Sequence, residues 1–210
     1  MRLVHCQDGL IQLAFPTRKA LTMTMGRPQE YYESGHANLY RQVFTVEEFL
    51  ETFMTDDGEV EYYDRWVGFN VPGEILDAFF RDFDVTERED ELYRLVHSQI
   101  HQGDRYYVIA SLEGDGATLD HELVHAHYYL DDDYREAANL LIADVPDDVC
   151  RALTASFENL GYAPEVWADE INAYLSTGTP EYMSNRFNLR GIEDVMAPFR
   201  ALAATKLQAA

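Results

Sequence analysis

The sequence predicts an α+β fold in which helices dominate and a small sheet sits in the N-terminal half. Three observations predict it. Thr45 and Thr86 each open a segment with the signature of a helix cap. The run Arg105 to Leu112, RYYVIASL, is aromatic and β-branched, as a strand should be. Beyond it, proline and glycine punctuate the chain at helix-length intervals.

Among the first forty residues, the apolar runs LIQLAF and ALTMTM read as short strands. Thr45 and Glu48 then form a capping box, with Phe44 and Phe49 placed as a hydrophobic staple. GFNVPGEILDAFF reads as a turn followed by a short helix. Thr86 and Glu89 make a second capping box, opening a helix that carries Leu92, Leu95 and Val96. RYYVIASL, bounded by HQGD and EGDG, is the best strand in the chain. ATLDHELVHAHYYL follows as a helix, with Leu119 and Leu123 one turn apart. Pro146 and Gly161 bracket another helix, and Pro164 and Gly178 the next. A last helix runs from about Gly191 toward Lys206, interrupted at Pro198. No repeat or linker divides the chain, so one domain is expected over 1–210. Its parts are an N-terminal portion (1–104), a core (105–177) and a C-terminal helix (178–210).

A chain of 210 residues, 47% hydrophobic, can bury a core without disulfide staples. Cys6 and Cys150 form no metal-type or redox-type pair and leave a single disulfide open. The N-terminus lacks the unbroken apolar run of a signal peptide and no segment approaches a bilayer span, so a cytoplasmic protein is expected. Acidic residues number 38 against 16 basic ones, for a net charge of −22, and the only lysines are Lys19 and Lys206. Such a surface repels phosphate backbones and anionic lipid, which argues against nucleic-acid and membrane partners. The composition resembles that of proteins from extreme halophiles or their viruses. A decoy that imitates DNA is the competing reading. Acids spread along the whole chain favour an ordinary solvated surface.

The strongest chemical signal is His121-Glu122-Leu123-Val124-His125. Residues four apart on a helix lie one above the other, so both imidazoles can reach one ion. Glu122 lies beside them, where it could take a proton from an attacking water. Zinc suits such a site, since it accepts imidazole nitrogen, acidifies bound water and keeps a position open. A motif this short also arises by chance, so its context decides. A strand and a glycine loop precede it, and an acidic helix follows downstream.

HELVHA at 121–126 and EVWADEINAYLST at 165–177 together resemble the zincin superfamily of metallopeptidases, in its gluzincin-like branch. The resemblance implies a zincin-like domain and a peptide or protein substrate. It also implies Glu170 as third zinc ligand, beside His121 and His125, and Glu122 as general base. RYYVIASL would be the edge strand lining the substrate cleft. One departure is clear: the family's aspartate four residues after the glutamate is here Tyr174. Asp169 and Asp120 are substitutes for bracing a histidine. The metzincin alternative would use Asp131, but it needs glycine where Tyr128 stands.

Tyr174 and Tyr182 are candidates for stabilising an oxyanion. His97 and His101 are also four apart, though a solvated helix face explains them better. His127 projects away from His125, and Glu165 faces elsewhere than Glu170. No phosphate loop, dinucleotide fingerprint or nucleophile elbow is present. The expectation is a zinc-dependent hydrolase, with a non-catalytic zinc protein and the acidic decoy as rivals.

Overall fold

The first strand pair is set by its turn. In the computed structural model, which describes residues 1–101, 103–189 and 192–207, Asp8 and Gly9 both hold left-handed backbone angles (φ 52° and 85°). This two-residue turn joins β1 (Arg2–Gln7) to β2 (Leu10–Phe15) as an antiparallel hairpin. The run ALTMTM, expected as a strand, lies instead in α1 (Arg18–Glu33). A strand would turn Leu21, Met23 and Met25 to one face. Here Leu21 and Met25 are buried while Met23 is exposed, and Thr17 caps the helix by accepting from the Ala20 amide at 3.2 Å.

The capping box at Thr45 and Glu48 opens α2 (Val46–Thr52), and the Phe44 and Phe49 rings stack with centroids 6.4 Å apart. After α3 (Tyr62–Arg65), the segment expected as a turn is a strand, β3 (Gly68–Pro72), leading into α4 (Gly73–Asp82). Pro72 ends this edge strand, where its missing N–H is tolerated. The second capping box opens α5 (Glu87–His97) as expected. RYYVIASL supplies β4 (Tyr107–Leu112), and the sheet order is β1-β2-β4-β3, with β2 and β4 parallel. β4 is therefore an interior strand, not the edge strand that the zincin resemblance implied. Its buried Tyr107, Val108, Ile109 and Ala110 explain why it was the clearest strand in the sequence.

The fold is α+β, 61% helical, with this one small mixed sheet in the N-terminal half. It divides into two compact units, Met1–Leu119 and Asp120–Ala210. The first has a core rich in aromatics, including Phe44, Phe49, Tyr62, Phe69, Phe79 and Phe83. Arg27 is buried among these rings, 5.3 Å from the Phe83 centroid, with its guanidinium donating to the Asp84 carbonyl and 3.4 Å from Glu89.

The second unit begins within α6 (Gly116–Leu130). Asp131 caps α7 (Asp132–Ala143), and α8 (Asp147–Leu160) ends on left-handed Gly161. A 3-10 turn (Pro164–Val166) leads into α9 (Trp167–Thr177), followed by α10 (Glu181–Arg186) and α11 (Glu193–Leu207). α11 runs unbroken through Pro198, where an interruption was expected. The expected start at Gly191 lies outside the described residues. Leu153, Phe157, Ile171, Leu175 and Phe199 form the main core here. A smaller cluster joins Val124, Ala173 and Ala203, and the short Ala173 and Ala203 side chains let α9 and α11 approach closely. Cys6 and Cys150 are free thiols. Among the described residues, no helix is long and apolar enough to cross a membrane.

Candidate metal centre

One turn of α6 separates His121 from His125, and their Nε2 atoms lie 3.2 Å apart. Glu170, in the first turn of α9, brings Oε1 to 3.8 Å from His125 Nε2. One ligand atom from each of His121, His125 and Glu170 falls within 4.8 Å of the others, a grouping able to hold one metal ion. Two ligands bound at about 2.0–2.1 Å in a tetrahedral arrangement lie roughly 3.3 Å apart, close to the imidazole spacing here.

Neighbouring oxygens favour one assignment of the histidine nitrogens. The Thr177 hydroxyl donates to the Ala173 carbonyl at 2.8 Å, and its oxygen lies 3.0 Å from His121 Nδ1. With its proton already given, that oxygen can only accept, so His121 carries its proton on Nδ1 and turns the Nε2 lone pair inward. His125 Nδ1 is 3.0 Å from Asp169 Oδ1, although the contact is poorly aligned as a hydrogen bond. A carboxylate there favours a proton on Nδ1 and again leaves Nε2 facing inward. Two lone pairs at 3.2 Å repel unless a cation, a proton or a metal ion, lies between them.

Electrostatics point the same way. His125 is 2% exposed; burial opposes its charge, but Asp169, Glu170 and Glu122 outweigh that and raise its pKa to about 10. Burial, and then the charge of His125, keep His121 well below its ordinary value. Burial pushes the Glu170 carboxyl upward against the pull of His125. Glu170 Oε2 is buried with no hydrogen-bond partner. Carboxylates are seldom buried in this way without a cation to meet them. An orphaned oxygen, two inward lone pairs and a surplus of negative charge together fit a bound cation.

Glu122 is buried, and its charge acts on both His125 and Glu170. Tyr174 is buried with its ring edge-on to His121 at 4.9 Å and stacked on Phe157, so it packs against the His121 ring. The Tyr182 side chain lies outside the described part of the structure. Asp131 accepts from the Tyr134 amide at 3.0 Å and pairs with Lys206 at 2.5 Å, which commits it as a helix cap away from the cluster. Asp169 reaches His125, whereas Asp120 is exposed. α5 stops at His97, so His101 is not one helical turn beyond it, and neither joins a metal-type group among the described residues. Glu165 is exposed, and His127 lies on the Tyr134 side of α6, 6.1 Å between ring centroids. Thr177 escaped sequence reasoning. Its signal was its place two turns after Glu170, on the same helix face.

Compared with known proteins, the chain matches no family model, no curated protein and no solved structure.

Proposed function

We propose that this protein is a zinc-dependent hydrolase, and that peptides are its substrates, in the manner of the gluzincin-like metallopeptidases. The observation that carries the reading is the cluster of half-buried His121 with buried His125 and Glu170, and buried Glu122 close by. His121, and His125 once an incoming cation displaces its proton, offer imidazole nitrogen, and Glu170 a carboxylate oxygen with no hydrogen-bond partner. Two nitrogens and one oxygen are the donor set of many catalytic zinc sites. A zinc ion held there supplies Lewis-acid chemistry, acidifying water and polarising a carbonyl. Glu122 takes the proton from the attacking water on a carboxylate oxygen and later delivers it to the leaving nitrogen. Asp169 holds His125 in orientation during this exchange, and Tyr174 fixes the His121 ring by packing.

A second reading, a zinc site kept for structure alone, draws on the burial of His125, Glu170 and Glu122 at 2%, 2% and 5% exposure. Structural zinc sites are closed, whereas catalytic ones keep a position open to water. The substitution Glu122→Gln separates the two, because it removes the proton carrier and no metal ligand. The hydrolase reading expects full zinc content with hydrolysis of a peptide library lost by at least about a hundredfold. Wild-type protein that holds zinc and cleaves no peptide, with Glu122→Gln indistinguishable from it, would establish the structural reading.

A further inference from the structure

We propose that Thr177 is the residue that positions His121 for the metal, using a neutral hydroxyl in the place that a carboxylate, carbonyl or water takes beside most metal-bound histidines. The inference rests on the metal-centre reading and adds to it a role for a residue outside the ligand set. Nothing else about Thr177 calls for this contact. Its hydroxyl already has a partner in the Ala173 carbonyl, the usual back-bond of a helical threonine. It is the orientation of that bond that matters. By sending the hydroxyl proton back along α9, it leaves the oxygen as an acceptor aimed at His121 Nδ1, 3.0 Å away.

Two consequences follow. First, the tautomer is chosen before metal arrives, so the ligand nitrogen Nε2 is presented bare. Second, α9 carries the ligand Glu170 and the holders of both histidines, Asp169 and Thr177. These three lie along one helix, so its position against α6 sets the whole centre. Ala173, the carbonyl at the end of the relay, is fully buried between Val124 and Ala203. The relay is therefore anchored in packed structure. The two histidines are held unequally: a carboxylate raises the donor strength of His125, and a hydroxyl does so far less for His121.

The test compares wild type, Thr177→Val and Thr177→Ser as full-length protein, with zinc as the probe. Valine keeps the shape and removes the hydroxyl; serine keeps the hydroxyl. Competition against a chromophoric chelator should show Thr177→Val weakened roughly 10- to 100-fold and Thr177→Ser within about threefold of wild type. Long-range nitrogen–proton NMR of the metal-free protein should show His121 protonated on Nδ1 in wild type and serine variant, with that preference lost in valine. Equal zinc affinity in Thr177→Val, or serine no better than valine, overturns the role of the hydroxyl. Wild-type His121 protonated on Nε2 overturns it too, even if the valine variant fails to fold. A wild type that takes up no zinc instead overturns the metal reading, and the positioning role with it.

Discussion

Replacing Glu170 by glutamine should move stability in opposite directions with and without metal. Without metal, the wild-type site is costly. Glu170 is 2% exposed with Oε2 lacking a hydrogen-bond partner, and burial together with the charges of Asp169 and Glu122 outweighs the attraction of His125, so its charge is disfavoured. A buried polar atom left unsatisfied costs about 1–3 kcal/mol, more when charged. Glutamine keeps the shape, removes the charge and brings donors for the carboxylate beside it. The metal-free variant should therefore be more stable than metal-free wild type by about 1–3 kcal/mol. For a chain of this size that is a rise in melting temperature of roughly 2–12 °C. With zinc the order reverses. Wild type gains stabilisation that grows with the logarithm of free zinc over its dissociation constant, and the variant, short of one charged ligand, gains little. Calorimetric melts of both proteins, in chelator and in a micromolar excess of zinc, measure the crossing. A Glu170→Gln protein that is less stable than wild type in chelator, and gains as much from zinc, would refute the argument.

Asp131→Ala should leave zinc affinity nearly unchanged while lowering stability by about 1 kcal/mol through the lost cap of α7, the partly exposed Lys206 pair adding little; chelator competition and urea unfolding measure the two effects. Glu30 is buried, and burial raises its carboxyl from 4.5 to about 7, with Ser34 and Tyr62 offsetting only part of the effect. Folded protein thus keeps a proton that the unfolded chain releases. The resulting stability is full below about pH 4.5 and is lost as pH rises through about 7, a change on the order of 3 kcal/mol. Glu30→Gln should flatten the fall in unfolding free energy between pH 5 and pH 8, and an unchanged slope would count against it. With a net charge of −22, the melting temperature should climb in potassium chloride toward the molar range, where the Debye length shrinks to about 3 Å. A flat or falling series would remove the halophile reading.

Local signals were the ones most readable in the sequence. Both capping boxes involve residues three apart, and the Pro146–Gly161 helix is bounded by its own termini, so each is written in a few adjacent letters. ALTMTM misled because its alternation mimics a strand. Thr17 as cap, and the burial of Leu21 and Met25 on one side of α1, outweigh that local preference. The β1–β2 hairpin was missed despite its Asp8-Gly9 turn, because β1 is mostly exposed and has no apolar run to mark it. The position of β4 inside the sheet depends on pairings with β2 and β3, far away in sequence, which a single segment cannot express. The site divides in the same way. His121 and His125 follow from helix geometry, and Glu170 from the resemblance. The Asp169 and Thr177 contacts depend on how α9 packs against α6, which no spacing rule specifies.

The central claim is that His121, His125 and Glu170 hold one zinc ion. Its most direct test is elemental analysis of the full-length protein, purified without added metal or chelator, alongside His121→Ala and Glu170→Ala. The account predicts about one zinc per wild-type chain and little in either variant, because losing one of three protein ligands leaves too few to retain the ion. Wild-type protein without metal that also fails to take up zinc on titration, or an Asp131→Ala protein that loses zinc while Glu170→Ala retains it, would contradict the account.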